Sequence, residues 1–256
     1  MDFVGQSRAI SQDGMNAASG NLSVNAAEIW TVLAVETSGF GFLADRRPQI
    51  LFERHIFSKL TNRAFDTSDI SNPQAGGYGP SGAHQYDRLA NAMALNRGAA
   101  LQSASWGLAQ IMGMNFAAAG FADVESMVSA MSDSEDAQLA AFVSFLQGNG
   151  LDKHLRAHNW ASLARGYNGP NFAVNQYDTK LAQAFAKYTA GPLPDLSIRA
   201  VQVYLTFAQL NPGPVDGLMG SRTRNALQAY QSKQGLQQSG QADAATLASL
   251  VETVLV

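Results

Sequence analysis

The chain lacks several features that mark particular classes of protein. None of its 256 residues is cysteine, which excludes disulfide bonds, thiolate nucleophiles and cysteine-ligated metals. Only 14% of the residues are charged, the net charge is −3, and lysine and arginine form no stripe. We therefore predict that nucleic acid is not a partner. No apolar run approaches the roughly 20 residues of a membrane span, so we predict no membrane partner either.

The first residues, Met1-Asp2-Phe3-Val4-Gly5, include an acidic side chain and no apolar stretch of the kind that a signal peptide has. We therefore expect synthesis in the cytoplasm without a signal peptide. The composition is nevertheless that of a folded protein, because 46% of the residues are apolar. A chain of this length can form one large domain or two small ones.

Helical patterns dominate, and we predict a mostly α fold with a small region of β-structure and loops. Residues 39–57 are predicted as loop and a short strand or hairpin. The stretch 66–86, rich in Gly, Ser, Pro and Asn, is predicted as a groove wall or a disordered loop. The predicted helices cover residues 6–18, 25–38, 86–102, 122–131, 134–147, 159–166 and 172–188.

The predicted helix over residues 25–38 carries a carboxylate in an unusual place. Asn25 and Glu28 have the spacing of a capping box, and the apolar arc of the helix, formed by Ile29, Val32 and Leu33, also contains Glu36. Burial and the electronegative helix end both disfavour the ionised form, so we expect a raised pKa. A carboxyl group protonated near neutral pH can act as general acid toward a glycosidic oxygen. Alternatively, Glu36 only ends the helix and points into solvent.

Three segments in a fixed order carry a resemblance to known enzymes. They are Glu36-Thr37-Ser38, Gly107-Leu108-Ala109-Gln110-Ile111-Met112 and Ala164-Arg165-Gly166-Tyr167-Asn168-Gly169-Pro170. Together they resemble the goose-type lysozymes and soluble lytic transglycosylases. A closer resemblance is to the N-acetylmuramidase family of phage and prophage endolysins, and it covers most of residues 25–188. It rests on Glu36-Thr37-Ser38-Gly39-Phe40-Gly41-Phe42 and on Arg47-Pro48-Gln49-Ile50-Leu51-Phe52-Glu53-Arg54-His55-Ile56-Phe57.

This resemblance implies a lysozyme-like fold and a set of site residues, with Glu36 as the acid. It requires no cofactor, and we predict no metal. The residues expected to bind substrate are Ser38, Tyr78, Ser105, Trp106, Gln110, Tyr167 and Asn168. Three of them have structural alternatives. The Gln110 amide could bond its own loop, and Trp106 could belong to the core. Tyr167 could be buried with its hydroxyl hydrogen-bonded.

A second carboxylate is not obvious, and Glu53 and Asp45 are the candidates nearest in sequence to Glu36. Glu53 is followed by Arg54 and His55, so an ion pair or hydrogen-bond anchor is its alternative role. Asp45 precedes two arginines and is predicted in a solvated turn. The distance between the two carboxyl groups would distinguish retention from inversion.

The last part of the chain is set off by Thr189-Ala190-Gly191-Pro192-Leu193-Pro194-Asp195, which we interpret as a short stiff linker. We predict a catalytic domain over 1–188, this linker over 189–195 and a second domain over 196–256. In the second domain Gly217 precedes Thr223 by six residues, and Gly240 precedes Thr246 by six.

The segment Pro214-Val215-Asp216-Gly217-Leu218-Met219-Gly220-Ser221-Arg222-Thr223 resembles the three-helix peptidoglycan-binding domain. The resemblance implies that this domain binds the peptidoglycan stem peptide, with Asp216, Arg222 and Tyr230 as candidate contacts. We expect a monomer.

Three functions remain open. The first is a muramidase of the endolysin type, which hydrolyses the β-1,4 bond between N-acetylmuramic acid and N-acetylglucosamine and reaches the wall after release from the cytoplasm. The second is a lytic transglycosylase, which leaves 1,6-anhydro ends. The third is an inactive wall-binding or virion protein. The residues 47–57 favour the first, and a secreted antibacterial effector with the same activity is also compatible.

Overall fold

The computed structural model describes residues 3–37, 39–66 and 69–255 and is mostly helical. The helices of the first part are α1 (Gln12–Leu22), α2 (Ala26–Thr37), α3 (Arg54–Leu60), α4 (His84–Leu95), α5 (Arg97–Gln102), α6 (Val124–Asp133), α7 (Glu135–Gly148), α8 (Asp152–Arg156), α9 (Trp160–Asn168) and α10 (Tyr177–Ala190). The helices of the second part are α11 (Leu196–Phe207), α12 (Ser221–Lys233) and α13 (Ala244–Val254). None of the described helices has the length and hydropathy that a bilayer crossing requires.

A small antiparallel sheet contains β1 (Ile50–Phe52), β2 (Ala104–Trp106) and β3 (Ile111–Met112), in that order. Ile50 pairs with Trp106, and Trp106 pairs with Ile111 on its other side. The sheet therefore brings the segment after residue 47 against the second motif. The expected small β region is present.

Helix α2 lies at the centre of the first domain and packs extensively against α10. Its start has the predicted capping contact, since the Asn25 N–H donates to Glu28 Oε2 at 3.1 Å. Ile29, Val32 and Leu33 are buried in the main core, so the face that also carries Glu36 turns inward. The helix ends at Thr37, where the Gly39 N–H donates to the Leu33 carbonyl at 3.2 Å.

Several predicted helix boundaries are wrong, and in two cases the reason is a side chain that caps a helix at a position inside the predicted one. The first helix begins at Gln12 and not at Gln6, since the Ser11 hydroxyl accepts from the Gly14 N–H at 3.0 Å. The predicted helix 86–102 is divided at Asn96, whose backbone is extended and whose side chain caps α5. The predicted helix 172–188 begins as a 3₁₀ turn, Phe172–Asn175, and Gln176 adopts a left-handed conformation before α10.

The segment after β1 also differs, because a short helix, α3, follows the strand where only loop and strand were predicted. The irregular stretch beyond it is tied to the helices around it. Gln85 Nε2 donates to the carbonyls of Tyr78 and Pro80 at 2.7 and 2.8 Å, and Arg88 Nη1 donates to the Gly77 carbonyl at 2.5 Å. The described part of this stretch is therefore an ordered wall.

The repeat in the second domain has a physical basis in two buried glutamines. Gln202 accepts from the Asp216 and Gly217 N–H groups at 3.0 and 2.8 Å, and its amide nitrogen donates to the Thr223 hydroxyl at 3.2 Å. Gln231 accepts from the Gly240 N–H and donates to the Thr246 hydroxyl in the same way, both at 2.9 Å. Each glycine turn is thus fixed by an amide from a neighbouring helix.

The linker does not hold the two domains apart. The core of the second domain includes Phe42 from the first domain, and its ring centroid lies 6.2 Å from that of Phe207. The Ala9 N–H donates to the Tyr204 hydroxyl at 3.2 Å. Asp195 caps α11 through the Ile198 N–H at 2.9 Å, so the linker ends directly in a helix of the second domain.

Candidate active site

Glu36 lies in the last turn of α2, where three elements meet. Its Oε1 accepts a hydrogen bond from Asn168 Nδ2 at 3.1 Å, at the end of α9. The neighbouring Thr37 hydroxyl donates to the Leu108 carbonyl at 2.7 Å, in the second motif. The three motifs that the sequence singled out therefore converge on one carboxyl group. Ser38, the third residue of the first motif, lies outside the described residues.

The environment of Glu36 raises its pKa from 4.5 to about 7. The main cause is burial, which removes water from the carboxylate. The hydrogen bond from Asn168 and the positive charge of Lys180 lower the pKa and offset part of this effect. A large share of the Glu36 carboxyl groups is therefore protonated at neutral pH, as a proton donor requires.

A second carboxylate belongs to Glu53, which lies between β1 and α3 at the N-cap position and makes no side-chain capping bond. Glu53 is hydrogen-bonded to the Tyr78 side chain, and its Oε2 lies 3.1 Å from His55 Nδ1. Burial raises its pKa, while His55, Tyr78 and the charge of Arg88 act in the opposite direction. Glu53 thus combines partial burial with the close approach to His55 that its sequence context suggested.

Tyr177 connects the surroundings of the two carboxylates. Glu36 raises the pKa of the Tyr177 hydroxyl, although burial is the larger cause. Tyr177 in turn raises the pKa of Tyr78, after the larger effects of burial and of Glu53. Glu36, Tyr177, Tyr78 and Glu53 are therefore linked in a series of electrostatic neighbours. The Tyr78 ring is exposed and open to a ligand from solvent.

Gln110 and Ser105 were predicted to bind substrate, and in the structure their polar atoms are hydrogen-bonded within the second motif and to β1 and the residue before it. Gln110 Oε1 accepts from the Ser105 hydroxyl at 2.8 Å. Its Nε2 donates to the carbonyls of Gly107 and Gln49 at 2.8 and 3.2 Å. Ser105 is buried. The amide of Gln110 therefore closes its own loop.

Trp106 and Tyr167 are also structural. Trp106 is fully buried, and its indole N–H donates to the Leu101 carbonyl at 3.1 Å, so it cannot stack on a sugar and that prediction is wrong. The Tyr167 hydroxyl donates to the Ala109 carbonyl at 2.5 Å, and its ring packs edge-on against Phe145 with centroids 5.5 Å apart. Tyr167 thereby joins α9 to the second motif and does not offer its hydroxyl to substrate.

Asp45, the other candidate carboxylate, lies in the turn between Phe42 and Pro48. Its Oδ2 accepts from Arg47 Nη2 at 2.5 Å and from Arg47 Nε at 2.9 Å. The side chain is largely exposed. Asp45 therefore belongs to a solvated turn with a local ion pair.

Comparison with known families agrees with this geometry. A family model described as N-acetylmuramidase matches residues 25–189, and one described as putative peptidoglycan binding domain matches residues 195–250. The chain belongs to the N-acetylmuramidase family. The crystal structure of Burkholderia AP3 phage endolysin is 39% identical, with a TM-score of 0.64, and the match covers 72% of this chain and 73% of that one. No curated protein matches the chain.

With these two domains, the muramidase is a peptidoglycan-degrading enzyme of the endolysin type, with peptidoglycan as its substrate and partner. Among residues 3–37, 39–66 and 69–255, no three histidine or carboxylate side chains converge as a metal site.

In the peptidoglycan-binding domain, two of the three predicted contacts have structural roles. The ring of Tyr230 is buried, and its hydroxyl lies 2.9 Å from the Ser249 hydroxyl and 3.0 Å from that of Thr253. The Asp216 carboxylate accepts from Gln202 Nε2 and from the Leu218 N–H at 3.0 and 2.9 Å. Only Arg222 of the three is exposed.

Four residues near the muramidase site were not predicted from the sequence. Tyr177 and Lys180 lie one turn apart on α10. In the sequence, their helical spacing was the only pattern that could have indicated that they share one face. Glu135 and Arg199 are more than 60 residues apart in sequence and form a buried ion pair. No local pattern indicated that pair.

Proposed function

We propose that this muramidase hydrolyses the β-1,4 bond between N-acetylmuramic acid and N-acetylglucosamine, with Glu36 as the proton donor. The observation that carries the proposal is the half-buried carboxyl group of Glu36, whose pKa is raised to about 7 at the meeting point of the three motifs. Donation of this proton to the glycosidic oxygen assists departure of the leaving sugar through an oxocarbenium-like transition state.

Product analysis tests this function directly. Wild type and Glu36→Gln are incubated with purified peptidoglycan, and the released fragments are identified by mass spectrometry. We expect reducing N-acetylmuramic acid ends from wild type, and a rate lower by about 10²- to 10⁴-fold for Glu36→Gln. The matched control is Glu252→Gln, an exposed glutamate on α13.

The other outcomes have definite meanings. Anhydro ends from wild type would assign the enzyme to the lytic transglycosylases, with Glu36 as acid and then base. Equal release by wild type and Glu36→Gln would place the acid elsewhere. No release from either would leave a wall-binding protein.

We propose Glu53 as the second carboxylate in preference to Asp45. Glu53 is hydrogen-bonded to Tyr78, and electrostatic interactions link Tyr78 with Tyr177 and Tyr177 with Glu36. The carboxylate of Asp45, in contrast, is bound by Arg47. We expect Glu53→Gln to lower kcat by about 100-fold or more, as loss of a general base does, and Asp45→Asn to lower it by less than about threefold. The reverse order would assign the role to Asp45.

The peptidoglycan-binding domain would hold the enzyme on the wall through the stem peptide, with Arg222 supplying a positive charge for a peptide carboxylate. We expect Arg222→Ala to reduce the fraction of enzyme that sediments with purified peptidoglycan, without changing the product ends. Lys233→Ala, at the other end of the same helix, is the control. Monomeric state, and release from the cytoplasm without a signal peptide, stay predictions.

A further inference from the structure

An ion pair between Glu135 and Arg199 joins the two domains, and the side chains of these residues are 0% and 1% exposed. Glu135 is the first residue of α7, and Arg199 lies in the first turn of α11, in the peptidoglycan-binding domain. Arg199 Nη1 lies 2.5 Å from Glu135 Oε2, and Arg199 Nη2 lies 2.7 Å from Glu135 Oε1. The pair is bidentate, which fixes the relative orientation of the two groups.

The same two side chains hold the loop that follows the acid helix. The Gly39 carbonyl accepts from Arg199 Nε at 3.2 Å and also from Arg199 Nη2. The Gly41 N–H donates to Glu135 Oε1 at 2.9 Å. Gly39 is three residues beyond Glu36, and its own N–H closes the last turn of α2. The loop over residues 39–41 is therefore hydrogen-bonded by one side chain from each domain: Glu135 from the first and Arg199 from the second.

Stability alone does not account for this arrangement. A buried ion pair loses hydration when it forms, and apolar side chains of similar volume often stabilise a protein as well or better. What apolar side chains cannot supply is a donor for the Gly39 carbonyl and acceptors for the Gly41 N–H and for the Ile10 N–H, which donates to Glu135 Oε2 at 3.0 Å. The pair thus fixes the backbone at Ile10 and the loop over residues 39–41, and only the loop follows the acid helix.

We propose that Arg199 and Glu135 are positioning residues for the muramidase reaction: the peptidoglycan-binding domain, through Arg199, fixes the loop 39–41 and thereby the orientation of Glu36. The proposal rests on the proposed role of Glu36 as acid. It gives the second domain a part in catalysis that is separate from wall binding, because Arg199 is buried and has no access to the wall.

The test compares four variants of the full chain. Arg199→Met removes the guanidinium, and Arg199→Lys keeps the charge but cannot make the same set of hydrogen bonds. Glu135→Leu combined with Arg199→Met removes both charges together. Arg97→Met is the matched control, because Arg97 forms a bidentate pair with Glu125, at 2.6 and 2.7 Å, that is half-exposed. The thermal midpoint, kcat on purified peptidoglycan, wall binding and hydrogen exchange at residues 39–41 are measured for each.

We expect Arg199→Met to lower kcat by about 10- to 100-fold, as small misplacements of a catalytic group do, and Arg199→Lys to recover part of this loss. Wall binding should stay within about twofold of wild type. The decisive variant is the double one: its thermal midpoint should lie above that of Arg199→Met, because no charge is left buried alone, while kcat stays low and exchange at Gly41 is fast. Arg97→Met should match wild type in all four measurements.

Two results would overturn the proposal. One is a double variant in which kcat recovers together with the thermal midpoint, which would show a purely structural pair. The other is unchanged exchange in Arg199→Met at Gly39, whose carbonyl loses its Arg199 donor and whose N–H closes the last turn of α2. The exchange measurement needs no substrate, so it separates the two proposals: an active Glu36→Gln enzyme would overturn the role of Glu36, whereas unchanged exchange would overturn the coupling even with Glu36 as the acid.

Discussion

Two opposing influences act on the carboxyl group of Glu36. Burial raises its pKa, and the Asn168 amide and the Lys180 ammonium group lower it, so that the pKa lies at about 7. The enzyme needs the protonated form for its first step. A pKa near 7 keeps a large share of the acid protonated at neutral pH without making the proton too hard to transfer.

The first prediction concerns the pH dependence of activity. Activity should fall as pH rises through about 7, because Glu36 loses its proton there. Asn168→Ala removes the hydrogen bond that favours the ionised form, so the midpoint of this fall should move to higher pH. The measurement is kcat/KM on peptidoglycan from pH 5 to 9. Asn175→Ala, an exposed asparagine on the next turn, is the control, and an unmoved midpoint in Asn168→Ala would contradict the prediction.

The second prediction concerns stability and the same group. Because the folded state raises the Glu36 pKa from 4.5 to about 7, the protonated form stabilises the fold below pH 4.5, and this contribution is lost as pH rises through 7. A pKa change of this size corresponds to about 3 kcal/mol, and partial exposure reduces that to about 2 kcal/mol. Glu36→Gln does not ionise, so we expect it to be more stable than wild type by about 2 kcal/mol at pH 8.

Chemical denaturation at pH 4 and pH 8 checks this expectation. The difference between Glu36→Gln and wild type should disappear at pH 4, where both side chains are neutral. Glu252→Gln should show no such pH dependence. A variant that is equally stable relative to wild type at both pH values would mean that Glu36 is well hydrated.

At the residue scale, the position of Glu36 could be predicted from the sequence better than the positions of Trp106 and Gln110. Glu36 could be placed because helical periodicity determines which face a residue occupies. The direction of Trp106 and Gln110 depends on a short strand and a tight loop, where Gln110 has a φ of +50°. Periodicity does not determine that geometry. For both residues the structural alternative, core or own loop, is the observed one.

Among the elements, the first turn of α7 organises the site. Gln138 is buried, accepts from the Leu108 N–H at 2.6 Å and donates to the Met131 carbonyl at 2.8 Å. Leu108 in turn accepts from the Thr37 hydroxyl. A helix that contributes no predicted catalytic residue therefore connects the acid helix with the second motif.

The third prediction follows from this helix. Gln138→Leu leaves the Leu108 N–H and the Met131 carbonyl buried without partners, so we expect a loss of about 2 to 4 kcal/mol in the free energy of unfolding. Gln147→Leu is the control, because Gln147 lies on the same helix and bonds the Asn21 carbonyl at 2.8 Å from an exposed position. Urea denaturation measures both. A loss below about 1 kcal/mol for Gln138→Leu would show that water replaces the missing amide.

Element boundaries were predicted less well than the elements themselves. The periodic apolar pattern crosses Asn96, but the Asn96 side chain accepts from the Ala99 N–H at 3.0 Å and starts a new helix there. Ser11 does the same for α1. Asparagine and serine bond the backbone in helical and in extended settings alike, so composition alone does not reveal which of them interrupts a helix.

At the scale of the whole molecule, the linker was interpreted as a spacer because of its two prolines. Its composition does not reveal that the residues on either side of it belong to one packed unit. Phe42 and Ala9 of the first domain lie in the core of the second. Each is an ordinary apolar residue in a loop or extended segment, and their partners are more than 160 residues away along the chain. Contacts between residues so far apart along the chain produce no periodic pattern in the sequence.

The fourth prediction concerns the cooperativity of unfolding. The Glu135–Arg199 pair, the Phe42–Phe207 contact and the Ala9–Tyr204 hydrogen bond all connect the two domains in the described structure. Unfolding of the small second domain would break all three contacts and remove the partner of the Glu135 carboxylate, and loss of one partner of a buried pair costs about 3 to 5 kcal/mol. We therefore expect a single transition in scanning calorimetry, with equal calorimetric and van't Hoff enthalpies.

Arg199→Met should divide this transition. Without the guanidinium, Glu135 is already unpaired in the folded state, so unfolding of the second domain no longer creates that penalty and should occur at a lower temperature than unfolding of the first. Arg97→Met, which breaks a half-exposed pair within one domain, should keep a single transition. If wild type itself unfolds in two steps, the linker acts as the spacer that its composition indicates. A single transition in wild type and two in Arg199→Met would show that one buried arginine makes the two domains a cooperative unit.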